Sequence, residues 1–395
     1  MNSLSSTFET NNSSFSGLFP KYSSNNNSKN IFSKKDNLKI FNNKLSEYQR
    51  FLSLIAIGNP IVDISAEIEH YVINKYNLHF GETIFVNDNN CGFFDELENM
   101  PKVTYIPGGS IQNTLIVASW CLNMEPTNKN KFIITMLGSV GSDINKERIL
   151  KSFQNSGVNP ILETIKGQET SRCGVGIYQK EKYRLADIRA SKMLTEQFIE
   201  EQSDIMYSHD SLLIEGYTIN DTFNICKKIC QNFKLNKKQV FLTLSSTNII
   251  KQNYQKLIEI ANDSDIIAGN IYEAKEFAKC QTNEINQIYE IILKKLNPNN
   301  NRLLIITDLP NSVYCGKYDY INKNLNYILT VFNKKIDEEK FEDLNGIGGA
   351  FFGGFLSQYM NGYNLHDCCR IGLKAANEIM KQVGCILKKN VNFFE

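Results

Sequence analysis

From about residue 51 onward the chain alternates short apolar runs with stretches of helical character, and this rhythm leaves few folds open to it. Phe51 to Ile57, Phe132 to Leu137, Ser211 to Ile214, Val240 to Leu244, Asp265 to Ala268 and Leu303 to Thr307 each have the length and composition of a buried strand. Ile111 to Cys121 is apolar at helical spacing instead. The later strand runs are each expected to lead into polar helical sequence. Repeated units of this kind predict an α/β architecture, a doubly wound, mostly parallel sheet with helices on both faces. Ligands of such sheets bind beyond the carboxyl ends of the strands, so the residues just after each run are the ones to read for function.

Two segments fall outside the rhythm. Residues 1–48 are rich in Ser and Asn and have neither a helical nor a strand period, which predicts a disordered tail or docking arm. The tail is Ser-rich and poor in acids, as an organellar transit peptide would be, but it has no arginine before Arg50. Within the folded part, expected over residues 49–395, the stretch from Thr170 to Ala190 reads as a hairpin. Cys173 to Tyr178 and Lys182 to Ile188 would be its strands, joined by Gln179-Lys180-Glu181. Segments around 61–107 and 170–190 would form a small β lid over a ligand.

Composition narrows the function classes. With 395 residues, 42% apolar and 22% charged, the chain has the balance of a globular protein. A formal net charge of +1 gives no global attraction to nucleic acid or to an anionic membrane. No apolar run approaches the roughly 18 residues of a membrane span. The ten cysteines form no CxxC pair and the four histidines do not cluster with them, so free thiols in a reducing compartment are expected rather than a zinc site. A cytoplasmic or cytoskeleton-associated protein is the expectation.

The most informative stretch is Asp343-Leu344-Asn345-Gly346-Ile347-Gly348-Gly349-Ala350-Phe351-Phe352-Gly353-Gly354-Phe355-Leu356. A glycine-rich turn that opens an apolar helix can present backbone N–H groups to an anion. The same glycines could equally serve close packing of that helix. The stretch resembles the ribokinase (PfkB) signature Asp-Thr-x-Gly-Ala-Gly-Asp-x-Phe. Its continuation, Gly353 to Gln358, is similar to adenosine kinases. So are Gly58-Asn59-Pro60 with Asp63-Ile64-Ser65, the run Gly108-Gly109-Ser110-Ile111-Gln112-Asn113, and Gly269-Asn270-Ile271-Tyr272-Glu273-Ala274. Gly384-Cys385 and Asn392-Phe393-Phe394 resemble the family's C-terminus, and the motifs keep their order over residues 51–395.

The resemblance implies a ribokinase-like fold and the reaction of ATP with adenosine to give AMP and ADP. It implies a nucleoside site at Asn59, Asp63, Gly108, Gly109, Ser110, Asn113 and Asn345. Asp63 would accept hydrogen bonds from both vicinal ribose hydroxyls, as a carboxylate can. Thr307 and Lys182 would meet ATP. Asn270 and Glu273 would organise Mg2+ through water, as suits a cation that keeps its hydration shell. Gly346 and Gly348 would form the catalytic turn.

The departures from the family are as telling. Gly349 stands where the family has the aspartate that deprotonates the attacking 5′-hydroxyl, and glycine has no side chain to do so. The family's Thr-x-Gly turn reads Thr307-Asp308-Leu309-Pro310, and Lys182 replaces a lid arginine, keeping the charge without the fork. Asn248 and Thr218 stand where aromatics that stack on adenine are expected. Two readings follow. One is a degenerate adenosine kinase, impaired or inactive, that acts as a binding or structural subunit with a protein partner and needs ATP and Mg2+ only if activity is retained. The other is an active purine nucleoside kinase with an altered catalytic arrangement. A sugar kinase fits the Gly108–Asn113 and Gly353–Gln358 runs less well.

Overall fold

The computed structural model describes residues 52–80, 83–124, 132–322, 324–333, 346–382 and 384–385. The expectations for residues 1–48, Asp343, Asn345 and the last ten residues lie outside these. The strands are β1 (Ser53–Ile57), β2 (Ile61–Glu67), β3 (Thr83–Phe85), β4 (Thr104–Gly108), β5 (Ile133–Val140), β6 (Val158–Thr164) and β7 (Arg172–Tyr178). They continue with β8 (Glu181–Asp187), β9 (Ser211–Glu215), β10 (Gln239–Thr243), β11 (Ile266–Asn270), β12 (Arg302–Asp308), β13 (Ser312–Asp319) and β14 (Asn324–Phe332).

Nine of them form the main sheet in the order β14-β13-β12-β11-β10-β9-β1-β5-β6. Every pair from β12 to β6 is parallel. This is the expected α/β doubly wound sheet, and its strands are buried on both faces, as Leu54, Ile55, Ala56 and Ile57 show by having no exposed surface at all. The strand order runs outward from β1 in both directions. The chain reaches β5 and β6 on one side and β9 to β12 on the other, so the switch point lies between β1 and β9.

The run Leu303 to Thr307 does not lead into a helix as expected. β12 turns back directly into β13 and β14, both antiparallel, at the edge of the sheet. In Ser312-Val313-Tyr314-Cys315-Gly316-Lys317 the buried positions are broken by the partly exposed Tyr314 and the exposed Lys317, so the run carries a weaker apolar signal than the central strands.

The lid is a separate five-stranded sheet, β3-β8-β7-β2-β4. Its β7–β8 hairpin closes through Gln179 and Lys180, both at positive φ (50° and 68°), a two-residue turn matched to the twist of the strands. The lid has its own small core, in which Phe93, Phe94, Leu97, Ile64 and Leu185 are fully buried.

The apolar helix Ile347–Met360 packs between Ser110–Met124 and Leu365–Met380. A Cβ on Gly353 would sit 2.4 Å from the Thr114 carbonyl oxygen, and one on Gly354 would sit 2.9 Å from Ala375 Cβ. These two glycines therefore bring helix backbones into contact, while the glycines at the start of the helix serve another purpose. No described helix is long and apolar enough to cross a membrane.

Candidate active site

The carboxyl ends of β1 and β9 open into a cavity of about 210 Å³. From the main sheet come Asn59, just after β1, and Glu215 and Tyr217, at and just after the end of β9. From the lid come Asp63 on β2, Gly108 at the end of β4, and Lys182 and Arg184 on β8. Gly109 and Asn113, at the start of the helix Ser110–Met124, complete the wall.

The geometry explains the glycines. Asp63 is paired with Ile106 in the β2–β4 ladder and its side chain reaches diagonally to Gly108, so closely that a Cβ on Gly108 would lie 2.3 Å from Asp63 Oδ2. Gly109 has φ +94°, and a Cβ there would also press on the Asn59 carbonyl oxygen at 3.0 Å. The pair leaves the Asp63 carboxylate room to face the cavity. Ser110 begins the helix beyond them. Its hydroxyl points to Glu215, and it does not line the cavity. The Asn113 carboxamide oxygen is buried with no partner among the described residues, 113 being a cavity position, so it offers an acceptor to a ligand hydroxyl.

A second, more open cleft of about 700 Å³ lies beyond the ends of β11 and β12. Thr307, Asp308 and Leu309 line it, with Asn270 and Glu273 and the turn residues Gly346 and Gly348. Asn270 and Thr307 are register partners on β11 and β12, which sets these two expected contact residues side by side. Among the described residues, five line both spaces: Thr83, Phe85, Arg184, Tyr217 and Gly346. A group passed from one space to the other would cross at this seam.

Gly346 caps the helix Ile347–Met360 in the left-handed conformation, φ +75°. A Cβ on Gly348 would meet nothing within 4 Å, so this turn is open to the cleft and can present amides to an anion. Gly349 differs. It is half-buried and lines neither space, and a Cβ on it would start 3.1 Å from both the Ser110 carbonyl oxygen and Thr114 Oγ1.

Asn270 and Glu273 are bound to each other. The Asn270 side chain accepts from the N–H groups of Tyr272 and Glu273, and Glu273 accepts from the Asn270 N–H (2.9 Å) and from its Nδ2 (2.7 Å). This is a reciprocal cap on the helix Ile271–Ala278. Burial pushes the Glu273 carboxyl up to about 7, offset in part by the Asn270 N–H. No group of three metal-ligating side chains occurs among the described residues. The pair thus fits a hydrated ion only as an outer acceptor, with phosphate oxygens and water supplying the inner ligands.

Sequence reasoning missed Glu215, Arg184 and Asp221. Arg184 shares a strand face with Lys182 and Ala186, all three lining the cavity. Strand alternation around Lys182 would have found it. Glu215 carries no motif signal. Only its position at the switch point marks it.

The model of the pfkB family of carbohydrate kinases matches residues 74–391, and the chain belongs to that family. Adenosine kinases are among its relatives within the family. That of Dictyostelium discoideum is 27% identical over 340 residues, 84% of this chain and 96% of its own. Adenosine kinase 1 of Arabidopsis thaliana is 25% identical over 350 residues, 86% of this chain and 97% of its own. Among solved structures, Anopheles gambiae adenosine kinase in complex with P1,P4-di(adenosine-5) tetraphosphate superposes with a TM-score of 0.76 at 25% identity, covering 85% of this chain and 98% of that one. The apo adenosine kinase of Trypanosoma brucei brucei gives 0.74 at 28% identity, covering 85% and 100%.

Proposed function

We propose that this chain is an adenosine kinase-like nucleoside-binding protein whose phosphoryl transfer is strongly impaired, and that it serves as a binding or structural subunit. The observation that carries the reading is the chemistry of the seam. Among the described residues, the five that line both spaces include no carboxylate, and the aligned base position is Gly349. Asp63, Glu215 and Asp221 line the nucleoside cavity alone, and Glu273 and Asp308 line the cleft alone. Asn113 can orient a 5′-hydroxyl near Gly346, but an amide oxygen does not take its proton. The loss of a positioned general base lowers a rate by roughly 10² to 10⁴.

The nucleoside half of the site supports binding. Asp63 would hold the ribose diol, with Gly108 and Gly109 leaving it room. Calorimetry with adenosine and with ATP, beside a sensitive turnover assay, tests the reading. Adenosine phosphorylation should fall at least about a hundredfold below that of a typical adenosine kinase. Asp63→Ala should weaken nucleoside binding by about 1.5 to 3 kcal/mol, the worth of hydrogen bonds to a charged group. Turnover within tenfold of a typical adenosine kinase would refute the impaired reading.

A second reading, an active nucleoside kinase by an altered route, draws on Arg184 at the seam. There the Arg184 and Lys182 charges and the open amides of the Gly346–Gly348 turn would stabilise the moving phosphoryl group, because positioning and electrostatics dominate such transfers. ATP with Mg2+ belongs to this reading. The ion would neutralise phosphate charge when bound, with Glu273 as an outer acceptor.

A further inference from the structure

Glu215 is the last residue of β9 and stands at the switch point, 1% exposed, in the wall of the nucleoside cavity. Its named contacts are all to the chain segments that build that wall. Oε1 accepts the Asn59 N–H at 3.4 Å. The Ser110 hydroxyl and the Ile111 N–H, at the start of the helix Ser110–Met124, lie near enough to favour the charged form, and so does the Thr218 hydroxyl on the helix after β9. Packing at this joint is close: a Cβ on Gly58 would lie 3.2 Å from Oε1 and 2.0 Å from the Ile111 side chain. Oε2 is buried with no hydrogen-bond partner among the described residues. The neighbours named are N–H and O–H groups, which suit an ionised carboxylate as acceptor and leave a protonated one with a hydrogen to place.

What Glu215 holds, the cavity uses. Asn59 lines the cavity, and its carbonyl oxygen lies 3.0 Å from where a Cβ on Gly109 would stand. The Gly109 carbonyl in turn accepts the Asn113 N–H at 3.0 Å, and Asn113 brings its buried amide oxygen to the cavity wall. Glu215 is thus joined, contact by contact, to Asn59, Gly109 and Asn113. We propose that Glu215 is a positioning residue, whose ionised carboxylate fixes Asn59 and the start of the helix Ser110–Met124 in the arrangement that binds a nucleoside.

Such a role has a pH signature. Burial pushes the Glu215 carboxyl up to about 7, with the Asn59 N–H and the Ser110 hydroxyl opposing it. Below that value the carboxyl is protonated and its hold on the surrounding donors loosens. Above it the ionised form prevails. A site competent only with Glu215 ionised has an apparent affinity scaled by the ionised fraction, so it tightens about tenfold from pH 6 to pH 8. Adenosine itself does not titrate in this range. On the helix that follows Glu215 the titratable groups are Tyr217, Asp221 and Cys226, and around the cavity they are Asp63, Cys173, Lys182, Arg184 and Cys385. Burial pushes Tyr217, Cys226 and Cys385 up to about 12 and raises Cys173 as well, which takes all four out of the range. The neighbouring strands β1 and β10 and the helix Ser110–Met124 carry no Asp, Glu, His, Lys or Arg.

The inference rests on the nucleoside-site reading above, and one set of titrations separates the two. Adenosine is titrated calorimetrically into the full chain and its Glu215→Gln, Ser110→Ala and Asp63→Ala variants from pH 6 to pH 8, with melting temperatures confirming that each is folded. The wild type should bind about tenfold more tightly at pH 8 than at pH 6. Glu215→Gln, which cannot ionise, should bind with one affinity across the range and more weakly than the wild type at pH 8. Ser110→Ala removes a donor that favours the charge, so the midpoint of its profile should move to higher pH, and it carries the test if Glu215→Gln does not fold. A flat wild-type profile, a pH dependence that survives in Glu215→Gln, or a Ser110→Ala midpoint that does not rise overturns the inference, and the nucleoside site stands if affinity still falls in Asp63→Ala. If adenosine does not bind the wild type at any pH, both are overturned.

Discussion

At the scale of single residues, the proposed impairment turns on Gly349, and its surroundings say how far an aspartate placed there could go. An aspartate there would sit at the head of a long helix, where the dipole favours negative charge. Its Cβ, however, would start 3.1 Å from the Ser110 carbonyl oxygen and from Thr114 Oγ1, so the helix Ser110–Met124 must give by a few tenths of an ångström. The altered cleft residues Leu309 and Asn248 would remain. Gly349→Asp should therefore restore little turnover. A gain of about 10² or more in a single-turnover assay would show that both substrates are already held correctly and that one lost carboxylate accounts for the defect. The residue scale is also where sequence was least able to speak. Asp63, Gly108 and Gly109 were legible because they sit in ordered motifs. Arg184 and Glu215 were not, because each acquires its place from strand register or strand order, and neither leaves a local pattern.

At the scale of elements, the helix Ile271–Ala278 shows how one pair of residues can be structural and face a ligand cleft at once. Glu273 closes the cap with Asn270 while buried, and burial holds its carboxyl near 7 in the folded chain against an ordinary value of 4.5. A carboxyl whose folded value is raised stabilises the fold most below its unfolded value and loses that contribution as pH rises through the folded one. Between pH 4.5 and 7 the loss attributable to Glu273 is roughly 3 kcal/mol, at about 1.4 kcal/mol per unit. In melting curves from pH 5 to pH 8, Glu273→Gln should gain on the wild type as pH rises, whatever their gap at pH 5. A pH-independent gap would mean that Glu273 titrates like an exposed acid. The central elements were readable from sequence, since strands buried on both faces are continuous apolar runs. β13 and β14 were not, since edge strands with one wetter face dilute that run. The hairpin β7–β8 was placed correctly, with a turn one residue shorter than expected.

At the scale of the whole molecule, two sheets meet over one site, and the lid contributes three of the five described residues shared by the cavity and the cleft: Thr83, Phe85 and Arg184. The lid cannot settle against one space without changing the wall of the other. Occupancy of the two spaces is then energetically linked, and linkage is reciprocal: whatever factor a nucleotide imposes on nucleoside affinity, the nucleoside must impose on nucleotide affinity. Calorimetric titration of each ligand with the other absent and then saturating should give the same factor, different from one, in both directions. Independent affinities would show that the lid is indifferent to what lies beneath it. A protein with this arrangement does not need to move a phosphate to be useful. If the two spaces are linked in this way, it would respond to two concentrations at once.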